Sequence, residues 1–277
     1  MNLRRILVAG VISLLGAGQV AAQSTLGAHS SNQGPASLTL HGGWLEPDGV
    51  RMAGLRMELE PGWKTYWRIP GDAGIPPHFD WSGSTNVAKV EVEWPAPMVF
   101  QTYGIQNVGY KDRLILPFRI TPEDPAAPMR LQLSIFYGLC EDVCIPARDD
   151  MMINVAPDAR KDGAVFIRNA LKRVPLRDVG DHVSAAECAI TGAGDDRQFT
   201  SRVAFTEPVA GTPVVVPEGP ENLYFGLIQS RVEGQSVIST GPVRVNAGQW
   251  IDRSALSLTV LETGGPALHI TGCTVAG

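Results

Sequence analysis

The feature that most constrains the fold is an alternation of apolar and polar residues along short segments. Between positions 129 and 137 every second residue is apolar, namely Met129, Leu131, Leu133, Ile135 and Tyr137. Residues 50–60 and 90–94 alternate in a similar way, and the 30 Gly and 21 Pro of the chain supply turns between such segments. A period of two is typical of strands with one buried face. We therefore predict an all-β protein built from antiparallel sheets.

A helical pattern interrupts the strands in the middle of the chain. Within residues 157–176, apolar residues recur at helical spacing at Val165, Phe166, Ala170 and Leu171. Pro175 ends this pattern, and strand-like segments resume after it. We predict a helical linker at 157–176 between two β-sandwich domains, at 23–156 and 177–277.

The amino terminus has the pattern of an export signal. Arg4 and Arg5 precede an apolar segment at 6–15, and small residues occupy 20–22. This order is typical of a cleavable signal peptide, which we place at 1–22. No segment reaches the ~20 apolar residues that a membrane-spanning helix needs. We therefore expect a soluble exported chain, in a compartment where disulfides persist.

The charge balance argues against two classes of partner. The chain has 23 Lys and Arg against 28 Asp and Glu, a formal net charge of −5. Nucleic acids and anionic membrane surfaces both require a basic face. We expect neither as the main partner.

Two cysteines close together are the strongest candidates for chemistry. Cys140 and Cys144 lie in the segment YGLCEDVCIP at 137–146. In an extended chain their Cα atoms would be roughly 13 Å apart, whereas a disulfide needs about 4.4–6.8 Å. A bond between them therefore requires a turn. So small a ring would constrain the unfolded chain little, and an exposed disulfide on a turn is open to attack by an outside thiolate.

The neighbouring charges predict a relatively reducing pair. Glu141 and Asp142 lie inside the ring and disfavour thiolates, which makes the two sulfurs poorer leaving groups. Spacing alone leaves three alternatives open. They are a structural disulfide, a shared copper or zinc ion as in the similar motif of the Sco copper proteins, and two buried thiols.

Three strings then identify a family resemblance. They are PGWKTYW at 61–67, which continues as RIPGDAG at 68–74, then YKDRL at 110–114, and YGLCEDVCIP at 137–146. In this order, over roughly 36–156, the chain resembles the amino-terminal periplasmic domain of the thiol:disulfide interchange protein DsbD. It is most similar to the ScsB-type relatives, which are linked to copper tolerance.

The resemblance implies an immunoglobulin-like sandwich with protein-disulfide reductase activity and no cofactor. Electrons would come from a membrane-embedded partner and pass to periplasmic thioredoxin-like proteins. Cys140 and Cys144 match the redox pair, and Cys144 would form the mixed disulfides. The segment 100–104 matches a cap loop that shields the pair, and Tyr66 and Tyr103 match aromatic positions near it.

Three departures from DsbD affect this interpretation. DsbD has five residues between its cysteines, whereas this chain and the ScsB-type relatives have three. The aromatic residue that covers the sulfur in DsbD aligns near Thr102, so Phe100 or Tyr103 would take its place. The chain contains no electron channel across the membrane, so we expect that channel to be a separate protein.

The other two cysteines lie at the start and end of the second predicted domain. A disulfide between Cys188 and Cys273 would join its terminal strands and, because the loop is long, would stabilise it by ~4 kcal/mol. We predict this structural disulfide, with a second redox or copper pair as the alternative. The five histidines have no metal-ligand spacing, so no metal site is predicted. The predicted fold is thus two immunoglobulin-like β-sandwich domains joined by a short helix.

Overall fold

The computed structural model describes residues 28–29, 34–71, 74–102, 105–159, 161–220, 223–245 and 253–275. The predicted signal peptide at 1–22 lies outside these ranges. Within them, no helix is both long enough and apolar enough to cross a membrane.

The first half of the chain folds into two facing sheets, which we call the first sandwich. Its strands are β1 (Ala28–His29), β2 (Ala36–Leu45), β3 (Arg51–Leu59), β4 (Lys64–Gly71), β5 (His78–Asp80), β6 (Lys89–Val92), β7 (Met98–Thr102), β8 (Ile105–Lys111), β9 (Arg113–Thr121), β10 (Met129–Cys140) and β11 (Cys144–Val155). The sheet orders are β1-β2-β3-β9-β6 and β11-β10-β4-β8-β7, and β5 pairs with β10. The apolar side chains between these sheets form one buried cluster.

The second half forms two more sheets, the second sandwich. Its strands are β12 (Val183–Thr191), β13 (Gln198–Phe205), β14 (Val214–Glu218), β15 (Leu223–Phe225), β16 (Gln229–Glu233), β17 (Ser236–Val245), β18 (Ser257–Leu261), β19 (Leu268–Thr271) and β20 (Thr274–Val275). The orders are β15-β17-β13-β12-β20, with β16 on β17, and β14-β18-β19. The prediction of an all-β protein made of sandwiched sheets is confirmed.

The alternation along β10 decides which of its side chains enter the core. The residues that alternate in the sequence are all 3 % exposed or less, and their neighbours on the other face are more exposed. The same phase in β11 brings the carboxylate of Asp149 into the core. The Tyr137 hydroxyl donates a 2.7 Å hydrogen bond to Asp149 Oδ2. Burial and this carboxylate raise the pKa of Tyr137.

One α-helix, α1 (Ala164–Leu171), lies between the sandwiches in the described part of the chain. It buries Ala164, Ile167 and Ala170 against the first sandwich, whereas Val165 is 69 % exposed. Of the four apolar residues that predicted the helix, Ala170 is buried and Leu171 packs against the same cluster, whereas Val165 and Phe166 are exposed and Ile167 is buried instead. The physical reason is Gly54 on β3, because a Cβ there would lie 2.7 Å from Ile167 Cγ1. The missing side chain makes room for Ile167 and sets the rotation of the helix.

The two sandwiches contact each other through the small sheet of the second. Val216 and Leu261 of that sheet belong to the apolar cluster of the first sandwich. Arg68 on β4 forms an ion pair with Glu218 on β14. The exact domain division at 157–176 remains a prediction.

Candidate functional site

The Cys140–Cys144 disulfide closes the tip of a long hairpin. Strands β10 and β11 pair without interruption from Met129–Val155 to Cys140–Cys144. The chain turns back through residues 141–143, and the two cysteine Cα atoms lie 4.0 Å apart. The turn that a bond between these cysteines requires is therefore present, and it is built by the ladder behind it.

The two sulfurs of this disulfide belong to residues with unequal exposure. Cys140 is 3 % exposed, whereas Cys144 is exposed, and Val143 beside it is 70 % exposed. An attacking thiolate must approach its target sulfur directly. By exposure, Cys144 is therefore the more accessible cysteine of the pair, and Cys140 is buried.

Tyr66 contacts the exposed cysteine from the neighbouring strand. Strand β4 pairs with the end of β10, with Lys64 opposite Cys140. The Tyr66 hydroxyl lies 3.0 Å from Cys144 Sγ, and the Tyr66 side chain is 1 % exposed. Burial raises the pKa of Tyr66 above its ordinary value of 10.0. The hydroxyl thus keeps its proton and can donate a hydrogen bond to a thiolate at Cys144, and such a bond favours the charged form of the sulfur.

Two glycines leave space for the Tyr66 ring. A Cβ at Gly138 would lie 2.9 Å from Tyr66 Cδ2, and one at Gly74 would lie 2.6 Å from Tyr66 Cδ1. Thr65 also donates a 2.9 Å hydrogen bond from its hydroxyl to the carbonyl of Gly138. The ring is therefore held between two stretches of backbone.

The predicted cap residues are only partly described. The Phe100 ring is 8 % exposed, and the ammonium groups of Lys64 and Lys111 lie 5.7 and 5.6 Å from its centroid. Thr102 ends β7, but its side chain lies outside the described residues, as does the whole of Tyr103. Shielding of the disulfide by this segment remains a prediction.

The two lysines change the expected charge around the site. Glu141 and Asp142 are exposed at the tip, as their polar character suggests. Lys64 is the register partner of both Cys140 and Lys111. The sequence alone does not show that Lys64, Lys111 and Cys140 are neighbours, because only the pairing of β4 with β8 and β10 brings them together. Their positive charges are opposite in sign to those of Glu141 and Asp142 in the turn.

The second disulfide, Cys188–Cys273, has a different setting. It spans 85 residues with a Cα–Cα distance of 5.5 Å, and Cys188 on β12 is 1 % exposed. Strand β20, next to Cys273, pairs with β12. All four cysteines are therefore bonded. Among the described residues, no group of three or more His, Cys, Asp or Glu could hold a metal ion.

Comparisons with known proteins agree with the motifs. Residues 44–156 match the family model of the N-terminal region of the thiol:disulfide interchange protein DsbD. Among solved structures, the N-terminal periplasmic domain of ScsB from Proteus mirabilis aligns with a TM-score of 0.70 and 23 % identity. That alignment covers 89 % of this chain and 95 % of the ScsB chain, and it shows a shared fold. No curated protein matches the sequence. The resemblance inferred from the motifs is confirmed for residues 44–156.

Proposed function

We propose that this protein is a periplasmic thiol–disulfide exchange protein that uses the Cys140–Cys144 pair. It takes reducing equivalents from a membrane-embedded electron carrier and passes them to thioredoxin-like acceptors. The observation that carries the proposal is the unequal exposure of the two cysteines, with a tyrosine hydroxyl 3.0 Å from the exposed sulfur. The family match at 44–156 and the periplasmic domain with the same fold support the reaction class and the compartment.

The exchange proceeds in two steps. In the reduced protein, the Cys144 thiolate attacks one sulfur of the acceptor disulfide, and the other acceptor sulfur leaves as a thiolate that takes up a proton. Cys140 then loses its proton and attacks Cys144 Sγ, which re-forms the internal disulfide and releases the second acceptor thiol. Two electrons and two protons pass to the acceptor. The membrane carrier reverses these steps and restores the dithiol.

Three features of the site fit this sequence of events. The exposed Cys144 meets the acceptor, and Cys140 resolves the mixed disulfide from a distance that the hairpin keeps short. Tyr66 donates a hydrogen bond to the attacking sulfur and stabilises its thiolate. The uninterrupted ladder of β10 and β11 holds both cysteines in place throughout.

A trapping experiment tests the proposal. Cys140→Ser leaves a reactive Cys144 with no resolving partner, so mixed disulfides accumulate. We expect this variant, incubated with periplasmic extract, to form dithiothreitol-sensitive adducts whose captured proteins have thioredoxin-like domains. Cys144→Ser is the matched control and should form none. The absence of adducts with Cys140→Ser, together with a wild-type disulfide that resists mild reductant, would contradict the exchange function and favour a structural disulfide.

A further inference from the structure

Two residues of strand β4, only two positions apart, contact the redox site and the second sandwich. Tyr66 contacts Cys144, and Arg68 forms an ion pair with Glu218 of the second sandwich. We propose that Arg68 and Glu218 are positioning residues that hold the Tyr66 hydroxyl against Cys144. The second sandwich is then part of the support of the redox site. This inference rests on the proposed function only in taking Cys144 as the reactive sulfur.

The first argument is the pairing of β4, which loses its neighbour directly after Tyr66. Tyr66 pairs with Gly109 of β8, and the next pair is Gly71 with Asn107. The residues 67–70 therefore bulge out opposite a single residue of β8. Such a bulge disrupts the ladder locally, so its conformation depends on other contacts.

The second sandwich supplies those contacts to the bulge. Arg68 Nε lies 2.7 Å from Glu218 Oε2, and Arg68 Nη2 lies 2.8 Å from Glu218 Oε1. Thr259 donates a further hydrogen bond to Glu218 Oε1 at 3.1 Å. The side chains of Arg68 and Glu218 are 26 % and 14 % exposed. A two-pronged, largely shielded pair of this kind restricts orientation as well as distance.

The residues before and after Arg68 add packing contacts to the ion pair. The Arg68 guanidinium carbon lies 4.0 Å from the centre of the Trp67 ring, which is fully buried. Ile69 packs in the same apolar cluster as Val216 and Leu261 of the second sandwich. The bulge is thus attached to the second sandwich by charge and by apolar contact.

The bulge also reaches back to Tyr66. Gly74 follows the bulge, and a Cβ at this position would lie 2.6 Å from Tyr66 Cδ1. The same Cβ would lie closer still to Pro70 Cβ, so the backbone beside the ring packs directly against the bulge. If the ion pair is lost, the Tyr66 hydroxyl is held less firmly and its hydrogen bond to the Cys144 thiolate weakens. The pKa of the Cys144 thiol then rises, because the thiolate loses a donor.

The substitution Glu218→Gln distinguishes a loss of Tyr66 positioning from a direct effect of charge on the Cys144 thiol. This substitution keeps the shape of the side chain and removes its charge, which leaves the Arg68 cation uncompensated. An uncompensated cation acting through space would lower the pKa of the Cys144 thiol. Weaker positioning of Tyr66 raises that pKa instead. The two explanations therefore predict shifts of opposite sign.

The test measures Cys144 alone in the full chain. In a Cys140→Ser background with Cys188–Cys273 intact, the rate of alkylation by iodoacetamide is followed from pH 5 to 10. We expect Glu218→Gln to move the midpoint upward and to slow alkylation at pH 7 by about two- to fivefold, the loss of one modest hydrogen bond. Arg68→Lys keeps the charge but not the two-pronged geometry, so it should shift the midpoint in the same direction.

A matched control and a double variant complete the design. Glu233→Gln removes the carboxylate of the exposed Arg231–Glu233 pair in the same sandwich and should leave the midpoint unchanged. Tyr66→Phe should slow alkylation by itself, and adding Glu218→Gln to it should have no further effect, because both act on one hydrogen bond. Independent effects of the two substitutions, a downward shift, or no shift in Glu218→Gln and Arg68→Lys would overturn the inference.

The outcome is separable from that of the proposed function. Iodoacetamide needs no partner protein, so the midpoint reports only on Cys144 and its surroundings. An unchanged midpoint in a protein that still traps thioredoxin-like partners rejects the positioning role alone. A shifted midpoint in a protein that traps none rejects the relay alone.

Discussion

The two disulfides of this protein differ in loop length and in their surroundings. Cys140–Cys144 closes a separation of four residues at an exposed hairpin tip, and a tyrosine hydroxyl contacts one of its sulfurs. Cys188–Cys273 closes a separation of 85 residues, and Cys188 is 1 % exposed. Cys144 is exposed, whereas Cys273 is only half-buried. A short bridge with an exposed cysteine stabilises the fold less and is attacked more easily than a long bridge without one. Loop length and exposure therefore favour the proposed exchange chemistry at the first bridge and a stabilising role at the second.

The largest expected difference between the bridges is in stability. Replacing Cys188 and Cys273 together by Ala should lower the free energy of unfolding by about 4–5 kcal/mol, whereas replacing Cys140 and Cys144 should lower it by about 2 kcal/mol, according to the chain-entropy model. Chemical denaturation of both variants, followed by tryptophan fluorescence, measures the two losses. Equal losses would contradict the assignment of different roles.

The next difference is in the rate of reduction. Under limiting dithiothreitol, we expect Cys140–Cys144 to open about tenfold faster than Cys188–Cys273 or more, because Cys144 is exposed, whereas Cys188 is buried and Cys273 half-buried. Timed alkylation and peptide mass analysis identify which cysteines become free. Simultaneous appearance of all four thiols would remove the distinction. Glu218→Gln should not change the rate for Cys188–Cys273.

Acid should affect the second sandwich through one histidine. Burial lowers the pKa of His269 below its ordinary value of 6.5, although Glu218, 3.8 Å away, opposes this shift. The unfolded chain therefore binds the proton at higher pH than the folded chain does. The free energy of unfolding should fall as the pH drops through 6.5 towards the lowered folded value, with a slope below about 1.4 kcal/mol per pH unit.

Denaturation at pH 7.5, 6.5 and 5.5 measures this slope. His269→Gln should flatten it, whereas His78→Gln, which changes an exposed histidine of the first sandwich, should not. A slope that persists in His269→Gln would assign the acid sensitivity to another group.

The smallest expected effect concerns the charges at the hairpin tip. Glu141→Gln with Asp142→Asn should make the Cys140–Cys144 pair more oxidising by at most about 20 mV, since exposed charges contribute less than ~1 kcal/mol. Lys64→Gln should shift the potential in the opposite direction. Equilibration with glutathione buffers measures both shifts. An effect that does not shrink in 0.5 M salt would show that the charges do not act through solvent.

Much of the fold could be predicted because the alternation of apolar and polar residues along a strand shows which of its faces is buried. The period of two predicts the core face of β10, and the residues on that face are buried in the structure. Asp149 breaks this pattern, since its carboxylate enters the core and accepts a hydrogen bond from Tyr137. The helical spacing found Ala170 and Leu171 on the packed face of α1 but missed Ile167. The rotation of α1 depends on Gly54, more than a hundred residues earlier in the chain.

The candidate site was less predictable because distant strands assemble it. The cysteine spacing and the family strings point to Cys140, Cys144 and Tyr66. Neither indicates that Lys64 lies opposite Cys140, since this requires the order of β4 and β10. The Arg68–Glu218 pair joins residues 150 positions apart. Register between non-neighbouring strands is set by the whole core, and local sequence carries little information about it.

The uninterrupted pairing behind the hairpin tip has one more consequence. Because twelve successive residue pairs hold β10 against β11, we expect the backbone of both arms to stay in place when the bridge at their end opens. The oxidised and reduced forms then present nearly the same contour to a visiting protein. In the proposed exchange, a partner must therefore distinguish the dithiol from the disulfide at the sulfur atoms themselves, at the moment of contact, rather than by a change of shape sensed beforehand.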